Sequence, residues 1–544
     1  MNASTDRVLI LGLDGATFAV LDPMRARGLM PNLDALLGRS AHGTLRSIVP
    51  PVTSAAWTTM QTGCNPPRHG VFDHRYYDAQ AGQMRVNHSG RIRVPTLWRL
   101  LSDAGRQVVS LNLPGTYPPP QVDGVVVSGM DAPHLDAATS GYPAFASRLK
   151  SEVPDYSLRY FWKRPPQSLD ELKEAARLTA ESFLGRAQGG ILADEMVPGW
   201  SALMVQFQNL DPFQHRAWRY LNVDDTGIDD APWNAAAGSV MRGLDAAIGR
   251  LIELADRRSA AILVVSDHGF GPCLGRIHVN RILAASGVAR LPSRASALTL
   301  GKALKGVENL RLWASKRKDP TARSSAFDTS VKAQFPFDWK RTLAFAPHQD
   351  TAAMVYLNST DRHAGAPLTT PRQIDDARNS AIVALASARH PSTGSPLFQR
   401  VIATAEEYGL DPAAEGYPDI IALPDDPYWV RTKLAPGRAW VEADPMLPGT
   451  HRPEGVVSLC GPGVAPGRSL KANLVDVAPT VLAMLGEPIP AHMEGVPLPC
   501  LPHRPSVRID APAHFGGPHQ PTFEYTAEEQ AIIEQRLADL GYLE

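Results

Sequence analysis

The chain has 544 residues, with 54 basic against 55 acidic side chains and a formal net charge of −1 at pH 7. That balance excludes recruitment of a nucleic-acid duplex or an anionic membrane by overall charge, while the length allows one large α/β domain with insertions. Cys64, Cys273, Cys460 and Cys500 lie far apart with no C-x-x-C pair, which argues against a disulfide scaffold or a cysteine zinc site and suits reduced thiols in a cytoplasm.

The first apolar run, Val8 to Leu13, ends at Asp14 and reads as a first strand and not a signal peptide. "PNLDALLGRS" and "VPTLWRLLSDAG" carry helical patterns, and Val108 to Leu113 and Val125 to Val127 read as further strands. Residues 132–200 hold polar helical sequence ("SLDELKEAARLTAESFLGRA") without a convincing core strand, which predicts an inserted cap. Ala202 to Phe207 is the next strand and leads through Gln208 and Asn209 to Asp211. "VMRGLDAAIGRLIELADRR" has apolar residues at three- and four-residue spacing, and the strand Ala260 to Val265 follows it. Residues 291–335 are locally basic, with Leu304, Val307 and Ala314 on one face of a second cap helix. "AAMVYLN" and "PDIIALP" resume the strand pattern, which closes with "DVAPTVLAMLG". Residues 501–544 form a Pro-rich extension ending in a helix with Thr526 as N-cap and Glu529 completing a capping box. Strands alternating with helices predict a mostly parallel sheet between helical layers, over a catalytic domain spanning 1–500 with the two cap insertions. No stretch approaches the ~20 apolar residues that span a bilayer, and a cytoplasmic location is expected.

In such sheets ligands bind beyond the carboxyl ends of the strands. Asp14 falls there, as do Asp211 and His215 in "NLDPFQH", where Pro212 suits the first helical position. Asp267 and His268 follow "AILVVS" and precede Gly269 and Gly271, which would let the backbone turn sharply. His451 sits in the glycine-flanked loop "LPGTHRPEG" ahead of "VVSLCG". Three aspartates and three neutral imidazoles form an oxygen and nitrogen set sufficient for two zinc ions with open positions. Each fragment has an ordinary alternative: D-x-x-x-H is commonly a helix cap with a surface histidine, and His451 alone would be a loop residue. Their weight comes from recurring at the ends of separate strands. In "PPVTSAAWTTMQTG", Thr53 opens a helix whose free N–H groups favour an anion such as phosphate. Its hydroxyl is a poor nucleophile until a metal or base activates it.

Asp14, Thr53, Asp211 with His215, Asp267-His268-Gly269 and His451, in this order, resemble the alkaline phosphatase superfamily. "TGCNPPRHGVFD" is similar to a segment of its type I phosphodiesterase/nucleotide pyrophosphatase branch, and "DWKRTLAF" and "GTHRPEGVVSLCGPGV" to bacterial members described as predicted phosphohydrolases or phosphomutases. The resemblance implies an alkaline-phosphatase-like fold with Asp14, Thr53, Asp267 and His268 on one metal and Asp211, His215 and His451 on the other. It further implies attack by Thr53 on a small phosphate ester, including nucleotides, through a phosphothreonine, with Zn2+ first and Mn2+ as rival. The third magnesium site and arginine clamp of monoesterases are not found in the sequence, which favours diesters and pyrophosphates. A phosphomutase or phosphomonoesterase remains the alternative. "CNPPR" matches the C-x-P-x-R sulfatase signature, but Cys64 follows Thr62-Gly63 while Thr53 fills the nucleophile's place. A metal-binding protein without catalysis is the reading outside enzymology.

Overall fold

The computed structural model describes residues 5–142, 144–292, 331–425, 427–434, 440–444, 446–501, 508–509, 523–540 and 542. Its main sheet has nine strands: β1 (Val8–Leu13), β2 (Ala41–Arg46), β3 (Gln107–Leu113), β4 (Gly124–Ser128), β5 (Thr139–Gly141), β6 (Trp200–Phe207), β7 (Ala261–Val265), β8 (Glu454–Cys460) and β9 (Ser469–Asn473). They lie in the order β9-β2-β8-β7-β1-β6-β3-β4-β5. All run one way except β8, which is antiparallel to both β2 and β7, and β5 at the edge. The arrangement is the mostly parallel sheet expected of the alkaline-phosphatase-like α/β class. β2, β5 and β9 have no counterpart in the strand pattern of the sequence, because "AHGTLR", "TSG" and "SLKAN" lack an apolar run.

The central strand β1 is buried along its whole length, and its side chains divide by strict alternation. Leu9, Leu11 and Leu13 enter the core shared with the helices Leu169–Met196 and Ala231–Arg258, whereas Val8 and Ile10 face the helices Thr53–Thr62, Leu97–Asp103 and Val477–Leu485. Apolar residues on both faces are what a strand covered by helices on each side requires.

Four observations revise the sequence reading. Within 132–200, the helix Leu169–Met196 packs under the sheet against Ala231–Arg258 and forms part of the lower layer; it does not overhang the site as a cap. "AAMVYLN" and "PDIIALP" do not join the main sheet. They supply Ala353–Leu357 and Ile420–Pro424, the middle pair of a separate antiparallel sheet with Ala344–Phe345 and Phe398–Ala403. With the helix Pro371–Ala386 that sheet builds its own core, because a short apolar run specifies burial but not a pairing partner. Pro212 is the third residue of the helix Leu210–Leu221, not the first. Residues 293–330, most of the basic segment with Leu304, Val307 and Ala314, lie outside the described residues. The helix Ala527–Leu540 does carry its box: Thr526 N–H donates to Glu529 Oε2 at 2.9 Å and Glu529 N–H to Thr526 Oγ1 at 3.2 Å. No described helix is long and apolar enough to cross a membrane.

Candidate metal centre

The site is assembled by strand register. Leu13 pairs with Phe207, and Gly12 with Val265, so two further residues bring Asp14 level with Asp267 at the carboxyl edge of β1 and β7. After β6 the chain enters the helix Leu210–Leu221 directly, placing Asp211 in its first turn and His215 one turn later on the same face. Thr53 is the first residue of its helix, with Val52 as the preceding N-cap. The first N–H groups of that helix lack intrahelical acceptors, as at any helix start. His451 lies in a strand, Gly449–Arg452, and not in the loop expected. That strand pairs with Gly269–Pro272, setting His451 opposite Phe270. Neither Gly269 nor Gly271 has a positive φ, so no sharp turn explains them. A Cβ on Gly269 would lie 2.0 Å from the Glu454 carbonyl oxygen, and one on Gly271 2.8 Å from the Arg452 guanidinium. Close backbone approach explains Gly269, whereas Gly271 meets only the end of a flexible side chain.

The seven residues singled out from the sequence meet. Thr53 Oγ1 is 3.2 Å from His268 Nε2, which lies 3.2 Å from Asp267 Oδ2 and 3.9 Å from Asp14 Oδ1. His451 Nε2 is 3.0 Å from His215 Nε2 and 3.1 Å from Asp211 Oδ1, itself 3.4 Å from His215 Nε2. All seven are buried, with Thr53 at 3 % exposure. Asp211 stands between the two halves: its ligand atoms fall within 4.8 Å of those of His215 and His451, and also of those of Asp14 and His268.

The imidazole orientations decide what this cluster can hold. Each ring faces a backbone carbonyl through Nδ1: His215 to Gly449 O at 2.9 Å, His268 to Gly269 O at 3.1 Å, His451 to Pro51 O at 2.8 Å. A carbonyl only accepts, so Nδ1 carries the proton and the Nε2 lone pair of the neutral ring points inward. Carbonyl-fixed imidazoles of this kind are the outer support of metal-ligating histidines. Among the described residues, Asp14 Oδ1 and Asp267 Oδ2 are buried without a hydrogen-bond partner. Orphaned carboxylate oxygens facing inward lone pairs are costly without a cation, and the donor set fits zinc or manganese.

The electrostatics carry the same strain. Burial, reinforced by the Asp267 and Asp211 charges, pushes Asp14 well above the usual carboxylate range, and burial with the Asp211 charge lifts Asp267 to about 8. Burial would also raise Asp211, but His215 and His451 overcome it and hold its carboxyl low. Burial lowers His215 to about 4 and His268 well below its ordinary value. Of the three imidazoles only His451 is raised: burial lowers it, but the hydrogen bond and charge of Asp211, the Asp350 charge and the Pro51 carbonyl together outweigh burial.

Several residues at the site escaped the sequence reading. Gln206 Nε2 donates to Asp14 Oδ2 at 2.7 Å and Trp57 Nε1 to the same oxygen at 3.2 Å, leaving Oδ1 free to face inward. Both residues look like core positions in their runs. The Tyr542 hydroxyl lies 3.4 Å from His451 Nε2 and contacts Thr53, reaching the site from the far end of the chain. Asp73, His74 and Asp350 form another buried group with ligand atoms within 4.8 Å of one another. His74 Nδ1 lies 2.5 Å from Ser54 Oγ beside the candidate nucleophile, and burial pushes Asp350 up to about 8. Cys64 stands past the other end of the Thr53–Thr62 helix, about 15 Å away at 1.5 Å per residue, which removes the sulfatase assignment.

The profile of the family described as type I phosphodiesterase/nucleotide pyrophosphatase matches residues 8–444. The chain belongs to that family. It is accordingly a phosphoric ester hydrolase of the phosphodiesterase type within the alkaline phosphatase superfamily. The match stops short of His451, which enters through its pairing with Gly269–Pro272. Among solved structures, the fold is similar to phosphonoacetate hydrolase from Sinorhizobium meliloti 1021, at TM-score 0.52 and 15% identity, over 89% of this chain and 96% of that one. It is also similar to a mutant of the alkaline phosphatase PafA, at TM-score 0.54 and 14% identity, over 91% and 99% of the two chains. A search of curated protein sequences gave no match.

Proposed function

We propose that the protein hydrolyses phosphodiesters or nucleotide-type pyrophosphates by attack of Thr53 through a phosphothreonine intermediate. Asp14, Thr53, Asp267 and His268 would hold one divalent cation, and Asp211, His215 and His451 the other. Zinc is the first choice and manganese the rival. Bound there, such cations lower the pKa of a hydroxyl or water and neutralise charge on phosphoryl oxygens. The observation that carries the reading is the meeting of inward-facing Nε2 atoms with orphaned carboxylates beside Thr53 Oγ1.

Thr53 Oγ1 bonds to phosphorus as the bond to the leaving alcohol or phosphate breaks. Water then displaces Thr53, and two inversions give net retention. The helix N-terminus directs its free N–H groups toward the anion. Gln206 and Trp57 keep Asp14 turned inward. No arginine clamp is assigned, which suits a singly charged diester over a dianionic monoester. The free cysteines fit a reducing cytoplasm.

The test compares bis(4-nitrophenyl) phosphate with 4-nitrophenyl phosphate on chelated protein reloaded with zinc or manganese. Thr53→Ala should abolish turnover and acid-stable labelling of the chain by radioactive phosphate ester while metal content persists. Full activity in Thr53→Ala refutes the nucleophile, and preference for the monoester refutes the substrate class.

A further inference from the structure

Tyr542 stands beside the candidate nucleophile without a step of its own in this reaction. It is 4 % exposed, its hydroxyl touches both Thr53 and His451, and its ring packs on His74 with centroids 4.5 Å apart. It therefore bridges the two halves of the candidate centre at the atom that would attack phosphorus.

Its seat is built, not incidental. Tyr542 N–H donates to Leu537 O at 2.9 Å, closing the end of the helix Ala527–Leu540. Ile533, Leu537, Leu540 and Tyr542 share a buried cluster with Val86, Met130, Trp429 and Leu447. The helix is tied down by Arg536, which donates to Met130 O at 3.2 Å and Pro133 O at 2.6 Å. Arg216 donates to Asp539 O at 3.2 Å, and Lys163 pairs with the Asp539 carboxylate at 2.8 Å. A side chain fixed from so many directions is not a loose plug that drifts in and out. An ordinary phenol keeps its proton near neutral pH and can donate it in a hydrogen bond.

Resting on the assignment of Thr53 as nucleophile, we propose that Tyr542 donates its hydroxyl proton in a hydrogen bond to a phosphoryl oxygen of the substrate. Once Thr53 Oγ1 bonds to phosphorus, the other oxygens on that phosphorus lie next to Oγ1, within reach of a hydroxyl already touching it. A preorganised donor aimed where negative charge grows lowers the barrier, and removing one such donor typically costs about a hundredfold to a thousandfold in rate. The inference thus deepens the proposed function by naming a contact to the phosphoryl group.

The test is Tyr542→Phe, which keeps the ring in its apolar seat. On zinc-loaded protein, turnover of bis(4-nitrophenyl) phosphate should fall by about a hundredfold. Affinity for orthovanadate, measured by calorimetry, should weaken at least tenfold while the zinc content by mass spectrometry stays that of wild type. A Tyr542→Phe protein within twofold of wild type in both rate and vanadate affinity overturns the proposal, and so does a gain in rate, which would make the tyrosine a plug. Loss of bound zinc in the variant would assign the residue to metal retention and also overturn it. Should Thr53→Ala remain active, the parent reading fails instead, whatever Tyr542→Phe does.

Discussion

Replacing Gln206 by leucine isolates the support of one candidate ligand from the ligands themselves. Gln206 is fully buried in β6 and its amide donates to Asp14 Oδ2 at 2.7 Å, while its carbonyl accepts from Asn112 Nδ2 at 2.7 Å. Leucine matches the volume and removes both bonds. A hydrogen bond to a charged group contributes about 1.5–3 kcal/mol, and ~1.4 kcal/mol is tenfold in affinity. Trp57 still holds the same oxygen at 3.2 Å, so Asp14 keeps a partner but gains freedom to rotate. The expected loss is about tenfold to a hundredfold in zinc affinity at the Asp14 side, in the range found for outer partners of metal ligands. Asn112 retains a longer contact to the Gln206 backbone oxygen at 3.4 Å, which limits the stability cost to about 1 kcal/mol. Competition against a chromophoric chelator resolves the two zinc equivalents, and the Asp211, His215 and His451 half serves as the internal reference. Turnover at saturating zinc should recover to within about tenfold of wild type. If both zinc equivalents bind as in wild type while only the melting temperature falls, the amide has a packing role and the reasoning fails.

In metal-stripped protein, Asp267 is held at about 8, so its stabilising protonation is complete below about 4 and lost as pH rises to about 8, whereas His215 at about 4 stabilises above 6.5 and loses that toward acid. The two contributions cancel between about pH 4 and 6.5, so melting temperature should stay level there, fall from pH 6.5 to 8, and cease to fall once zinc is added; a rise from pH 6.5 to 8 without zinc contradicts the carboxylate assignments. Gly269→Ala should destabilise by about 3 kcal/mol or more, because its methyl would sit 2.0 Å from a backbone oxygen that cannot step aside. Denaturant unfolding measures this, and a loss under about 1 kcal/mol would mean the hairpin can open. Cys64→Ser should leave turnover within twofold, since Cys64 is buried beside Thr62 and His492 carbonyls and not at Thr53; abolished activity would reopen the sulfatase reading.

What the sequence revealed about this site, and what it hid, follows from how each residue reaches it. Asp14, Asp211 and Asp267 lie just past apolar runs, so strand pattern alone brought them to one edge. Gln206 and Trp57 sit inside such runs, where an amide or an indole looks like any core residue until its hydrogen-bond partner is known. Tyr542 lies 91 positions from His451, and no local pattern links them. The glycines after His268 were legible as glycines but not as to cause, because a sequence cannot distinguish a positive φ from a crowded neighbour.

His451 is the instructive case, since it precedes its strand while the other ligands follow theirs. β8 runs against β7, with Val457 opposite Val265 and Cys460 opposite Ile262. An antiparallel strand begins at the edge where its parallel neighbours end, so the residues ahead of β8 arrive beside those after β1 and β7. β2, parallel to β7 across β8, delivers the segment ending at Thr53 to the same edge. One reversed strand in the sheet therefore converts a ligand placed before it, and a nucleophile placed after its neighbour, into members of one cluster. A site read only as residues following strands would have lost His451, and with it half of the Asp211 pair.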